Sequence, residues 1–147
     1  MKELRFLVPG EPIAQPRQKH RVMHVNGKAM AANYTPAKHP VNHYKAAVQM
    51  AAMELYHDAP HDGPVRLEVV CVFGRPKNRI WKTKPMPREP KVSKPDCDNV
   101  IKAIKDALSK LVWRDDSQVY QETIEKWVAS GEDQPHTEIR IHFEEAA

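Results

Sequence analysis

Twelve of the thirteen prolines in this chain lie at or before Pro95, and none falls between Asp96 and Gln134. Proline removes a backbone donor and disfavours helix in the residue before it, so it divides the N-terminal two thirds into short elements and loops. Residues 3–8 alternate as a strand, with Leu4, Phe6 and Val8 on one face. No period holds from Pro9 to His39, which reads as a long loop. Pro40 suits the first turn of a helix reaching about His57, with Val41, Tyr44, Val48, Ala51 and Leu55 toward the core. Residues 64–73 alternate again, with Val65, Leu67, Val69, Cys71 and Phe73 on one face. Val70 and Val72 on the other face imply coverage from both sides.

A second long loop spans 74–94, followed by a helix from about Asp98 to Lys110. Ile101, Ile104, Leu108 and Leu111 form its buried stripe, with Asp98, Lys102 and Lys105 on the opposite face. Strands close the chain at about 118–128 (Tyr120, Ile124, Val128) and 136–144 (Ile139, Ile141, Phe143), joined by Ser130-Gly131-Glu132-Asp133. The order predicts an α/β fold of the α+β type: one domain over 1–147, a mixed sheet, two main helices and long basic loops.

At 147 residues the chain is long enough to bury a substantial core without metal or disulfide staples. No apolar run approaches the roughly 18 residues of a membrane span. Met1 to Arg5 lead into a strand rather than an apolar leader, so no secretory signal and no membrane partner are expected. Cys71 and Cys97 are too few for a disulfide framework and read as reduced thiols in a cytoplasm.

Charge is unevenly divided. Residues 1–94 hold 17 Lys/Arg against 7 Asp/Glu, a balance of +10, whereas residues 95–147 hold 6 against 12, a balance of −6. A basic half beside an acidic half suggests a polyanion partner near a cluster of carboxylates. The carboxylates are Asp96, Asp98, Asp106, Asp115 and Asp116. Asp96 and Asp98 are two apart, so in an extended lead-in they point the same way, and Lys102 follows one helical turn beyond Asp98. Two such charges 4 Å apart repel by about 4 kcal/mol at an effective dielectric of 20, which a divalent cation would relieve. All-oxygen ligands suit Mg²⁺ or Mn²⁺ rather than zinc. A plainer reading keeps Asp96 or Asp98 as helix caps, Asp98–Lys102 and Lys102–Asp106 as surface ion pairs, and Asp115-Asp116 as turn residues.

The run Lys-Pro-Asp-Cys-Asp-Asn-Val-Ile-Lys-Ala-Ile-Lys-Asp-Ala-Leu (94–108), followed by Trp-Arg-Asp-Asp-Ser-Gln-Val (113–119), resembles the RusA family of Holliday-junction resolvases. The shared pattern is Asp-x-Asp-Asn-x-x-Lys-x-x-x-Asp-x-Leu, then Asp-Asp-x-Gln-Val. The resemblance implies a Mg²⁺-dependent endonuclease, with Mn²⁺ as a substitute, that nicks four-way DNA junctions symmetrically as a homodimer. It implies Asp96, Asp98 and Asp116 as catalytic metal ligands, Asp115 as a further acidic metal-site member and Lys102 as the catalytic lysine. Asn99 and Asp106 take support roles. It also implies a bacterial cytoplasm, the gene being chromosomal or phage-derived, and no organic cofactor. The chain departs from the pattern at Lys110, where family members often carry glycine.

With a nuclease as context, the basic loops become phosphate contacts: Arg17, Lys19 and Arg21 in the first loop, and Arg75, Lys77, Arg79 and Lys94 in the second. Trp81 either stacks on an unpaired base or anchors its loop, while Trp113 and Trp127 suit core or interface. Cys97 reads as a packing residue turned away from the ligands. His39/His43 and His57/His61 have zinc-like spacing, but Pro40 and Pro60 interrupt both pairs. The competing readings are a DNA- or RNA-binding module without catalysis, and a nuclease for forks, flaps or RNA.

Overall fold

The structure, a computed structural model of the chain, describes residues 2–16 and 19–146. Its strands are β1 (Glu3–Pro9), β2 (Lys19–Val25), β3 (Lys28–Tyr34), β4 (Val65–Phe73), β5 (Glu89–Pro90), β6 (Val119–Val128) and β7 (His136–Phe143). The two helices are α1 (Val41–Met53) and α2 (Cys97–Leu108). Five strands form one sheet in the order β1-β7-β4-β6-β5, and β2 with β3 form a separate hairpin. Within the sheet only β4 and β6 run parallel. A parallel pair requires a crossover, and the chain from β4 through α2 to β6 supplies it. The fold is therefore α+β with a mixed sheet and two helices.

Periodicity explains the core. Leu4, Phe6 and Val8 of β1, alternate residues Val65 to Phe73 of β4, and Ile139, Ile141 and Phe143 of β7 point to one side of the sheet. There they meet Val41, Tyr44, Val48 and Ala52 of α1 and Val100, Ile101, Ile104 and Leu108 of α2. Ile104 and Leu108 are completely buried, each contributing about 1.5–3 kcal/mol. Tyr44 carries its hydroxyl into this core and meets Thr137 Oγ1 at 2.7 Å. Burial raises the phenol pKa above its ordinary value.

Four expectations need correction. The stretch 9–39 is not one loop, because β2 and β3 pair within it across Asn26-Gly27. Both turn residues have positive φ, 53° and 77°, as a two-residue hairpin turn demands. The helix α1 stops at Met53, and Leu55 is exposed rather than buried. Its stripe uses Ala52, with Ala51 only partly buried. The second sheet face is covered only in part: Val72 is completely buried, but the rest of the face is open. It displays Arg5, Glu68, Thr123, Glu125, Glu138 and Arg140, whose long side chains surround Val70 and leave it half-buried. Finally, α2 begins at Cys97 and ends at Leu108, with Ser109 as its C-cap.

Beyond that cap, Lys110 adopts φ 71°, in the left-handed region where glycine has no steric penalty. Its N–H donates to the Trp113 carbonyl at 2.6 Å, closing the turn that leads to the second acidic block. The substitution Lys110→Gly is expected to stabilise the protein by about 1 kcal/mol. Thermal unfolding should report a rise of roughly 2–4 °C.

The basic segment between β4 and α2 is irregular apart from a short turn at Lys77–Arg79 and the two-residue β5. It is laced to the β6–β7 turn: Arg88 donates twice to the Asp133 carboxylate at 3.2 Å, and the Gly131 N–H donates to the Met86 carbonyl at 2.9 Å. Arg88, with help from the Ser130 N–H, holds the Asp133 carboxyl well below the usual carboxylate range. A depressed folded-state pKa contributes stability that is complete above the unfolded value of about 4 and disappears as pH falls through the folded one. Accordingly, Asp133→Asn should lower the unfolding temperature at pH 7, and the gap should close progressively below about pH 4.

Candidate active site

Asp96 is the N-cap residue of α2, in extended conformation at φ −76° and ψ 148°, yet its side chain makes no capping hydrogen bond. Asp98 lies in the first helical turn, and Lys102 lies one turn further on. Both are exposed, as is Asp96. The second acidic block sits in the short turn Asp116–Gln118 that leads into β6. Because β6 lies beside β4 and α2 crosses between them, this turn reaches the flank of α2. A cleft of about 680 Å³ results, lined by Asp98, Lys102 and Asp116. Lys105 of α2 and Glu122 of β6 also line it and pair at 3.1 Å.

The turn is built by Gln118. Its Oε1 accepts from the Arg114 and Asp115 N–H groups at 2.9 and 2.8 Å. Its Nε2 donates to the carbonyls of His61 and Gly63 at 2.7 and 2.9 Å. Asp115 completes a capping box, accepting from the Ser117 N–H at 2.9 Å. Ser117, through side chain and backbone, holds the Asp115 carboxyl below its ordinary range. Asp116 is oriented differently: its Oδ1 accepts from Nε1 of Trp113 at 2.9 Å. Trp113 is completely buried, so the core itself aims this carboxylate.

Pairing separates the acids. Asp106 bonds to Lys45 of α1 at 3.6 Å, and Glu122 is held by Lys105. Among the described residues, the side chains of Asp96, Asp98 and Lys102 have no hydrogen-bond or ion-pair partner. The surface pairs Asp98–Lys102 and Lys102–Asp106, open on spacing alone, do not form. The site residues thus divide: Asp98, Lys102 and Asp116 share the cleft, whereas Asp96 and Asp115 stand outside its lining. Cys97 does line the cleft, contrary to the expectation that it faces away. Behind it Cys71 is buried, and burial pushes its thiol pKa up to about 12. As the side chains stand, no three His, Cys, Asp or Glu among the described residues form a ready cation nest, at the acidic blocks or at the histidines.

Of the residues expected to touch DNA, Lys77 and Lys94 are exposed. Arg79 is paired with Glu89 at 2.6 Å. Arg75 is corrected to a structural residue, its side chain only 4% exposed. It donates to the Arg79, Pro87 and Ala129 carbonyls at 2.6, 3.0 and 3.2 Å, because a guanidinium can satisfy several loop carbonyls at once. Trp81 anchors the loop, with Arg75, Arg79 and Lys84 at 5.1, 5.3 and 5.6 Å from its ring. Lys19 and Arg21 are placed on the backbone of β2, and Arg17 lies outside the described residues.

Two contributors escaped the sequence reading. Gln15, from the supposed loop, is buried, and its N–H donates to the Asn99 carbonyl at 2.8 Å, tying the approach to β2 onto the first turn of α2. Trp113 was read only as core or interface, although its position three residues before Asp116 in a turn hinted at a bond.

A family profile described as Endodeoxyribonuclease RusA matches residues 9–142, a span that begins at the last residue of β1 and includes the hairpin, both helices and both acidic blocks. The chain is also similar to the uncharacterized protein YqaN of Bacillus subtilis (strain 168), at 32% identity over 143 residues, 94% of each chain. No described helix is long and apolar enough to cross a membrane. With the match running from the end of β1 into β7 and taking in the cleft between α2 and the turn before β6, this chain belongs to the RusA endodeoxyribonuclease family.

Proposed function

We propose that the chain is a Mg²⁺-dependent endonuclease that resolves four-way DNA junctions by paired symmetric nicks. The observation that carries the reading is the contrast in partners. Asp106 and Glu122 are neutralised by lysines, while Asp98 and Lys102 stay unpaired in the same cleft as a carboxylate aimed by a buried indole, and Asp96 stays unpaired at the N-cap of the same helix. Leaving unpaired charges together is unfavourable unless a ligand compensates them.

The donor chemistry fits the group. Asp96, Asp98 and Asp116 offer only carboxylate oxygens, as Mg²⁺ and Mn²⁺ prefer, with Asp115 as an additional acidic member. When bound, such a cation supplies Lewis-acid polarisation of a phosphoryl oxygen and a more acidic water. The protein's own residues do the rest. Trp113 fixes the orientation of Asp116, and the Lys102 ammonium balances negative charge developing on the phosphoryl group or the departing oxygen. Lys77, Lys94 and the hairpin residues Lys19 and Arg21 bind phosphates and set the position of DNA without reading its sequence. A homodimer belongs to the same proposal, since two-fold symmetry presents one site to each of two equivalent strands. A bacterial cytoplasm is its setting.

Cleavage of an end-labelled synthetic four-way junction tests this, with linear duplex, fork and flap substrates alongside, in Mg²⁺ and in EDTA. The expected result is paired nicks confined to the junction and dependent on Mg²⁺. Binding without nicking in Mg²⁺ or Mn²⁺ would leave a DNA-binding module, and preferential cutting of forks or flaps would reassign the substrate.

A further inference from the structure

Val92 is 95% exposed, whereas the next most exposed large hydrophobic side chains among the described residues reach 66%. Single exposed apolar residues are ordinary on protein surfaces, so exposure alone says little. What sets Val92 apart is its mounting. The Lys91 N–H donates to the Lys126 carbonyl at 2.9 Å. The Lys126 ammonium reaches back to the carbonyls of Ser93 and Pro95 at 2.8 and 2.6 Å. Lys91 Nζ donates to Ser93 Oγ at 3.0 Å, and just upstream Glu89 and Pro90 pair with Val128 and Trp127 of β6. A segment fastened to β6 on both sides of Val92 holds that side chain out in solvent at a fixed place. Valine suits such a mounting, because branching at Cβ stiffens its first torsion.

The surroundings name the ligand. Lys91 and Lys94 flank Val92, and the segment 74–94 carries eight basic residues against one acid. Asp96 follows four residues later, at most about 14 Å away by chain reach, the length of about four base steps. An apolar tip between cations and beside a nuclease cleft matches the chemistry of a base step, whose aromatic faces accept an apolar wedge while the flanking phosphates take the lysines.

We propose that Val92 is a wedge that inserts at the junction centre and unstacks a base step, presenting the scissile strand to the acidic cleft. The inference rests on the nuclease reading for its purpose, but its signature is independent of cutting. The experiment uses four-way junctions carrying 2-aminopurine at each position flanking the crossover in turn, saturated with protein in Ca²⁺, with occupancy checked by gel shift. The unaltered protein should raise 2-aminopurine fluorescence at one or two of these positions. Val92→Ser should bind but lose that rise, and in Mg²⁺ it should nick about tenfold more slowly. Val92→Leu should retain both. Because Val92 packs against nothing, the serine variant is expected to keep its circular dichroism and unfolding temperature.

A rise that persists in Val92→Ser, or no rise at any position with unaltered protein, overturns the wedge even if nicking is seen. A changed sedimentation coefficient in Val92→Ser also overturns it, assigning Val92 to contact with a second copy. A rise that depends on Val92 without any nicking supports the wedge and removes the nuclease reading.

Discussion

Asp98→Asn should slow junction nicking by about 10²–10³-fold or more while junction binding becomes no weaker. The substitution keeps the size and polarity of the side chain and removes one negative charge from a cleft that holds Asp116 and Lys102. Asp98 is exposed and unpaired among the described residues, so no ion pair is lost and the fold has little to lose. Binding to a polyanion should tighten if it changes, since a repulsive charge has gone. Single-turnover cleavage and gel-shift titration on the same junction separate the two effects. Equal losses in binding and cleavage would point to a role in DNA contact instead. Asp106→Asn is the control: its carboxylate is already held by Lys45, so nicking should change far less.

Trp113→Phe should act through Asp116. The indole N–H that holds Asp116 Oδ1 at 2.9 Å disappears, while most of the buried apolar volume remains. Loss of a group that orients a metal ligand typically costs 10–100-fold in metal affinity or activity. The Mg²⁺ concentration for half-maximal nicking should rise by about that factor, with part of the rate recovered at high Mg²⁺. The variant should also lose about 1–3 kcal/mol of stability, through a smaller ring in a packed core and a missing hydrogen bond. Denaturant unfolding measures this loss. A purely structural role would lower stability and leave the Mg²⁺ dependence of the surviving folded enzyme unchanged.

Where apolar residues repeat with a clear period, sequence and structure agree closely. The alternation over 64–73 became β4, and Ile101, Ile104 and Leu108 became the buried side of α2. Failures came where local pattern and tertiary context diverge. Lys19–Tyr34 has no strict alternation, and only Asn26-Gly27 signalled its hairpin. Leu55 fits the helical stripe of α1, but the helix ends first, so the residue faces solvent. Val70 and Val72 suggested a second covering layer, and Val72 is completely buried, yet Val70 lies half-buried among charged neighbours on β1, β6 and β7. Lys110 shows the reverse case, a departure from a familiar glycine that coincides with a left-handed backbone.

By itself, the sequence determined both helices and the strands β1, β4, β6 and β7, that a basic half precedes an acidic half, and the residue spacing that marks the family. Those features are local or compositional, and they survive without knowledge of which distant residues meet. Only the tertiary structure decided which charges are free. Asp106 is claimed by a lysine 61 positions earlier, Arg75 is spent on loop carbonyls reaching to Ala129, and Asp116 is aimed by an indole anchored in the core. A side chain's chemistry depends on the partners that folding brings to it, and partners distant in sequence leave no trace in local periodicity.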